Sequence, residues 1–294
     1  MRVGVIGLGI MGTAMSQRLL TAGHTVALYN RTSEKAQFLV EKGATLSATP
    51  AALAAQCEIV LSCLVDGNAL RTVCEGENGV LATLPHNAIF ADMSTIAPVE
   101  AERMAQRFRT AERRYVQAPV LGSKRQIESG TLLVFAGGKE AEIVQCETAW
   151  GAFASRVWHF KTAREAATTK LACNMFIAHT IVGLGQSLLL AKKGGVRPEM
   201  LLSIFQNSAL NSPMVASKGK TLLERNFQAN FVVKNMLKDL NLISEAAMET
   251  KTPLPLHGLT RELFLAAVQA GFGDEDYSAA IKVLEQMSGT VLKL

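Results

Sequence analysis

Apolar and polar positions along the chain fall into two regimes. In the first half, short apolar runs alternate with amphipathic stretches. RVGVI reads as a strand, IMGTAMSQRLLTAG as a helix closed by Gly23, TVALY as a second strand and SEKAQFLVEKG as helix-like. CEIVLSCL, NAIFADM, RYVQAP and TLLVFAGG are further strand candidates, with helices such as PVEAERMAQRF between several of them. This alternation predicts an α/β domain with a mainly parallel, doubly wound sheet. From Ala163 onward the period is helical and no convincing strand is found. The first helix is very long, at about 164–193, and ends at Gly194-Gly195. Further helices are expected at about 198–206, 213–223, 231–248, 254–270 and 278–285. The expected organisation is a first domain over 1–162 and an all-α domain over 163–294. A cleft between two such domains is a common place for a ligand.

Composition narrows the class. The 294 residues are 49% hydrophobic and 19% charged, which fits a globular chain with room for two cores. Cys57, Cys63, Cys74, Cys146 and Cys173 form an odd set without metal-ligand spacing. They indicate a reducing, cytoplasmic setting and no disulfide frame, and no metal is expected. The formal net charge is +5, with a basic cluster at Arg107, Arg109, Arg113 and Arg114. A solvated helix face accounts for that cluster better than a nucleic-acid patch. Residues 171–191 carry no charge and are long enough to span a bilayer. Asn174, His179, Gly183, Gly185 and Gln186 within them favour a helix buried in protein over a membrane span. The apolar opening is interrupted by Gly4, Gly7, Gly9 and Gly12, unlike a secretory signal.

Candidate chemistry begins at that opening. Gly7-Leu8-Gly9-Ile10-Met11-Gly12 fits G-x-G-x-x-G between a strand and a helix. Gly7 would permit the tight turn, Gly9 a close approach to a pyrophosphate, and Gly12 close packing of helix on strand. The helix start favours an anion through its free N–H groups and partial positive charge. The second strand ends in Asn30-Arg31-Thr32, where an acid usually meets a free ribose 2′-hydroxyl. Asn30 avoids repelling a 2′-phosphate, Arg31 can bind it with charge-assisted hydrogen bonds, and Thr32 can donate another. The expected cofactor is NADPH rather than NADH.

Two further features are weaker. Lys170 and Asn174 are one turn apart on the long helix and share a face. Burial would favour the neutral amine, which suits proton transfer, whereas a lysine opening an apolar helix is more often a snorkelling surface residue. The stretch VQAPVLGSKRQIESGTL reads as a loop after a strand, and N–H groups near Leu121, Gly122 and Ser123 could form a small anion nest. On the sequence alone a structural turn explains that loop better.

GLGIMG, NRT, ADMST, QAPVLGS, KLACN and LKDLNL, in this order, resemble the β-hydroxyacid dehydrogenase family across essentially the whole chain. That family includes 3-hydroxyisobutyrate dehydrogenases, tartronate semialdehyde reductases and glyoxylate/succinic semialdehyde reductases. The resemblance implies a Rossmann-type domain joined by a long interdomain helix to an all-α domain, and a homodimer or homotetramer. It implies hydride transfer between NAD(P)H and a carbonyl carbon, with Lys170 as general acid supported by Asn174. It also implies Thr95 near the nicotinamide, Leu64 and Val65 beside the adenosine half, and Lys238 and Asp239 closing the cleft. Phe231 would form an apolar wall.

Departures from the family pattern sit in the substrate loop, usually D/E-A-P-V-S-G. Gln117 replaces the acid and Leu121 the serine, so carboxylate binding would rest on Gly122 and Ser123, with help from Lys124. Cys173 replaces the first Asn of the usual Lys-x-x-Asn-Asn, and the Gly pair usual before the Lys is absent. The leading expectation is an NADPH-dependent reductase of a small carboxylate-bearing aldehyde or keto acid. The alternatives are oxidative 3-hydroxyisobutyrate-type dehydrogenation, imine reduction (against which Lys170 counts), and a dinucleotide-binding scaffold without turnover. Leu121 is the best support for the scaffold. No nucleic-acid or membrane partner is expected.

Overall fold

In the computed structural model, which describes residues 1–293, β1 (Arg2–Ile6) and β2 (Thr25–Tyr29) coincide with the apolar runs that predict them. The sheet continues with β3 (Thr45–Leu46), β4 (Ile59–Ser62), β5 (Ile89–Asp92), β6 (Arg114–Gln117), β7 (Val120–Leu121), β8 (Leu132–Gly137) and β9 (Ala154–Phe160). The strand order is β3-β2-β1-β4-β5-β6-β8-β7, with β9 also paired to β8. Pairing is parallel from β3 through β6; β8 runs antiparallel to β6 and β7 and parallel to β9. This is the expected doubly wound, Rossmann-type sheet. Its order reverses between β1 and β4, and ligands of such sheets bind beyond the carboxyl ends of the strands at that point.

Both sheet faces are buried, and the alternation of side chains shows it. Val3, Val5, Ile59, Leu61, Ile89 and Ala91 point into one core with Met15, Leu19 and Trp150. Ile6, Val60 and Phe90 point into the other with Phe108 and Tyr115. Helices Ile10–Thr21 and Pro98–Thr110 cover the two faces. Strands covered on both sides read as continuous apolar runs, as β4 does. The stretch expected as one helix at 33–43 is two short turns, Ser33–Ala36 and Gln37–Val40. Only Ala36 and Leu39 there reach the core, which is too little anchorage for a longer helix.

The second compact unit is helical. The long helix spans Ala163–Lys193 and is followed by Pro198–Gln206, Pro213–Glu224, Val233–Thr250, Pro255–Ala267 and Ile281–Ser288. A π-turn at Val268–Phe272 and a 3₁₀ turn at Tyr277–Ala280 replace the ends expected for the last two helices. The units divide at Met1–Lys170 and Leu171–Leu294, inside the long helix and not at its start. Ala163 and Ala167 in its first turns belong to the core of the sheet domain, which explains the difference from a boundary drawn at 162/163. Leu171, Ala178, Ile181, Val182, Leu184, Leu188 and Leu189 of the uncharged stretch lie in the core of the helical unit.

Candidate active site

In the first unit, the glycine turn lies at the carboxyl end of β1. Gly7 has φ +97°, which a side chain would strain. A Cβ on Gly12 would lie 1.9 Å from the Gly7 carbonyl oxygen, so this glycine sets the packing of helix on turn. Gly9 is the N-cap of the first helix; nothing lies within 4 Å of where its Cβ would be. No side chain caps this helix and no acid sits in its first turn, so the N–H groups of that turn suit an anion. Ile10 is exposed, Met11 leans on the core and Gly12 is buried. These features fit the pyrophosphate of a dinucleotide. Leu8 is different: its side chain is in the core and its N–H donates to Asn30 Oδ1 (2.9 Å). Leu8 therefore builds the turn and does not present its N–H to a ligand.

Asn30 also donates from Nδ2 to the Thr32 carbonyl oxygen (2.8 Å). Its amide thus ties the glycine turn to the end of β2, a structural role beyond the expected lack of charge. Arg31 and Thr32 are exposed just past β2, and the Thr32 hydroxyl does not cap the turn that follows. After β4, the Leu64 N–H donates to Ser94 Oγ (2.9 Å) and Val65 is exposed. Asp66 is a helix cap, accepting from the Ala69 N–H (2.8 Å). Thr95 is half-buried in the turn after β5.

Gln117, expected at the head of the substrate loop, is fully buried instead. Its Nε2 donates to Asp92 Oδ2 (3.2 Å) and to the carbonyl oxygens of Asp92 (3.2 Å) and Ser94 (3.1 Å). Its Oε1 accepts from the Tyr115 hydroxyl (2.5 Å). Asp92 Oδ1 accepts from Ser62 Oγ (2.7 Å), Ser94 Oγ (2.6 Å) and Ser94 N–H (3.2 Å). Burial pushes the Asp92 carboxyl up, against the pull of these donors. Of this cluster only Gln117 stands out in the sequence, as a departure from a motif.

The anion nest expected at Gly122 and Ser123 is not presented as such. Both the N–H and the hydroxyl of Ser123 donate to Gln126 Oε1, at 2.9 and 2.6 Å. These residues form a capping box at the start of the Lys124–Glu128 turn, whose sequence signature is S-x-x-Q. Leu121 pairs with Leu133 in the sheet, and Lys124 is exposed beside Glu128 (3.5 Å).

On the long helix, Lys170 is only 9% exposed, so it is not a snorkelling surface residue. In the second unit, Asn174 is buried and donates from Nδ2 to Asp239 Oδ2 (2.6 Å). Lys238 Nζ lies 2.8 Å from Asp239 Oδ1. Asp239, expected to help close a cleft, is thus an inner support for Asn174. Phe231 is half-buried with its ring 6.1 Å from that of Tyr277.

Other sequence candidates resolve into structure. Arg107, paired with Glu75 (2.6 Å), and Arg109, paired with Gln106 (3.1 Å), lie on the expected solvated helix face, whereas Arg113 and Arg114 lie past that helix and are half-buried, Arg113 on His86 and Arg114 beside Glu142 (3.5 Å). Burial pushes the thiols of Cys57 and Cys146 up to about 12 and that of Cys74 well above its usual value, so these three are inert.

Comparison with known proteins agrees with this geometry. Residues 2–161 match the NAD-binding domain family of 6-phosphogluconate dehydrogenase. Residues 165–284 match the domain described as NAD-binding of NADP-dependent 3-hydroxyisobutyrate dehydrogenase. The chain is 31% identical to glyoxylate/succinic semialdehyde reductase 1 of Arabidopsis thaliana, over 97% of this chain and 99% of that one. It is 28% identical to the cytokine-like nuclear factor N-PAC of Xenopus tropicalis over 96% of its own length, and spans 53% of that protein. A crystal structure of 3-hydroxyisobutyrate dehydrogenase from Salmonella typhimurium superposes with a TM-score of 0.86 at 24% identity, covering 96% of this chain and 99% of the other. With a glycine turn fit for a dinucleotide and a buried lysine one helical turn from a buried asparagine, the chain belongs to the β-hydroxyacid dehydrogenase family of NAD(P)-dependent oxidoreductases.

Proposed function

We propose that the protein is an NADPH-dependent reductase of a small aldehyde or keto acid bearing a carboxylate, as the name of the plant relative suggests. The observation that carries the catalytic part is the buried Lys170, one turn before an Asn174 held by Asp239. NADPH, when bound, supplies a hydride to the carbonyl carbon. Arg31 and Thr32 hold the 2′-phosphate, Gly9 and the first turn of the helix at Ile10–Thr21 the pyrophosphate, and Thr95 the nicotinamide end. The Lys170 ammonium gives its proton to the carbonyl oxygen as negative charge develops there, and the neutral amine is reprotonated by solvent. With its Nδ2 on Asp239, Asn174 keeps its carbonyl oxygen as the accepting end of the amide. In the opposite direction the same lysine takes the hydroxyl proton.

The description of the second domain favours 3-hydroxyisobutyrate-type oxidation as a second reading. Initial rates with NADPH against glyoxylate, succinic semialdehyde, methylmalonate semialdehyde, tartronate semialdehyde and cyclic imines test the first. A preference for NAD⁺ with a 3-hydroxyacid supports the second. Absence of turnover with any of them leaves a nucleotide-binding scaffold.

We further infer a cytoplasmic homo-oligomer. None of the five cysteines is in a disulfide, which suits a reducing compartment. Phe176 (70% exposed) and Leu190 (77%) are large apolar side chains in the open on the long helix, and a second copy of the chain would cover them. Phe176→Lys is expected to lower the mass measured by light scattering in solution; an unchanged mass removes this face from the interface.

A further inference from the structure

We propose that Gln117 and Asp92 are positioning residues whose buried side-chain pair fixes the turns after β4 and β5 against the substrate loop after β6. The inference rests on the cofactor reading above, because those turns carry Leu64 and Thr95. The cluster joins three neighbouring strand ends: Ser62 closes β4, Asp92 closes β5 and Gln117 closes β6. Ser94 extends it outward, since its hydroxyl donates to Asp92 while accepting from the Leu64 N–H.

The orientation of the Gln117 amide follows from its neighbours. Nε2 faces three oxygens and Oε1 faces a hydroxyl, so a flipped amide would set oxygen against oxygen three times. Position 117 must therefore donate on one side and accept on the other. An ionised glutamate, the kind of residue usual in the resembling motif, has no proton to donate. It would also place a second negative oxygen about 3.2 Å from Asp92 Oδ2. Two carboxylates that close, away from water, do not both ionise. Glutamine leaves Asp92 as the sole acid of the cluster, free to accept from both serines and from Gln117. The turn bearing Thr95 is thereby held through its backbone at Ser94 by the side chains of Asp92 and Gln117.

Gln117→Glu and Gln117→Leu in the full chain test this, with three readouts: hydrogen exchange at the Leu64 and Ser94 amides, NADPH affinity by fluorescence, and kcat. At about pH 8, Gln117→Glu is expected to speed exchange at both amides and lower kcat about tenfold or more, the scale of one buried group left unsatisfied. NADPH affinity should fall less than kcat does, because Leu64 and Thr95 shift while Arg31 and the glycine turn are not touched. At about pH 6 the carboxyl introduced by Gln117→Glu is protonated and regains a donor, so the kcat of that variant relative to wild type recovers, whereas that of Gln117→Leu does not. The other titratable groups nearby are Tyr115 and Cys74, both kept neutral by burial, and Glu100, paired with Arg71 and Arg103. Wild-type exchange and kcat in both variants overturn the proposal. A parallel fall of kcat, NADPH affinity and unfolding midpoint without recovery at low pH also overturns it, by showing a role in folding alone. If the wild-type protein reduces no carbonyl compound, the function reading fails. The exchange rates and NADPH affinities then still decide the pair.

Discussion

Lys170 separates an enzyme from a nucleotide-binding scaffold. It is almost fully buried on the long helix, where an amine costs more than on a solvated face. Lys170→Ala is expected to lower kcat about 10²–10⁴-fold, the usual worth of a positioned acid, with NADPH affinity nearly unchanged. Near-normal turnover in that variant removes the proton-transfer role. Arg31 is the matching test for the cofactor. Arg31→Ala should weaken NADPH by roughly 1–3 kcal/mol and leave NADH alone, since only NADPH carries the 2′-phosphate. An unchanged preference in titrations with both nucleotides shows that another group reads the phosphate. Arg31 was legible from local spacing, a glycine turn and a strand end, whereas spacing alone showed only that Lys170 and Asn174 share a helix face, and the role of the lysine came from the family resemblance. Gln117 and Asp92 lie 25 residues apart and meet only across adjacent strands, so no spacing rule finds them. Asn30 was legible as a missing charge but not as a clasp on Leu8, which depends on how the turn folds back.

At the scale of elements, the strand–turn–helix opening carries a contrast that two substitutions expose. A methyl on Gly9 meets no protein atom, whereas one on Gly12 falls within 1.9 Å of the Gly7 carbonyl oxygen. Gly9→Ala should therefore keep the unfolding midpoint and weaken NADPH, because the methyl occupies the space the pyrophosphate needs. Gly12→Ala should cost about 1–3 kcal/mol of stability in denaturant titrations, as overpacking does, whether or not nucleotide is present. Equal loss of stability in both variants would mean that the two glycines serve the same packing. The opening was readable because both faces of the sheet are buried, which makes its inner strands uniformly apolar. The same reasoning explains why β9 escaped notice. Its ASRVWHF carries Arg156 and His159 and is at most half-buried at the sheet edge, so no apolar run marks it. β3 and β7 have two residues each, too short for any period to register.

For the whole molecule, acidity should act on the two units unequally. In the helical unit, burial lowers the pKa of His179 and His257 below the ordinary 6.5. Their rings lie 6.4 Å apart; His179 Nε2 and His257 Nδ1 are buried with no hydrogen-bond partner among the described residues, while His257 Nε2 meets Ser244 Oγ at 2.9 Å. The unfolded chain takes up protons at these residues near pH 6.5 and the folded unit only at lower pH. Unfolding therefore binds protons between those limits, and stability falls as pH drops through 6.5 until the folded histidines themselves titrate. In the first unit the effects oppose each other. His24 is lowered by burial, whereas His159 is raised by Glu147 and Glu140 and contributes stability below 6.5 that is lost as pH rises. Both tryptophans, Trp150 and Trp158, are in the first unit, so their fluorescence reports its unfolding. Helical circular dichroism weights the second. Urea titrations at about pH 7.5 and 5.5 should show the dichroism midpoint falling more than the fluorescence midpoint. His257→Gln should flatten the acid slope of the dichroism transition, because a neutral amide in its place has no proton to gain. The same acid slope in His257→Gln as in wild type would place the sensitivity elsewhere in the chain.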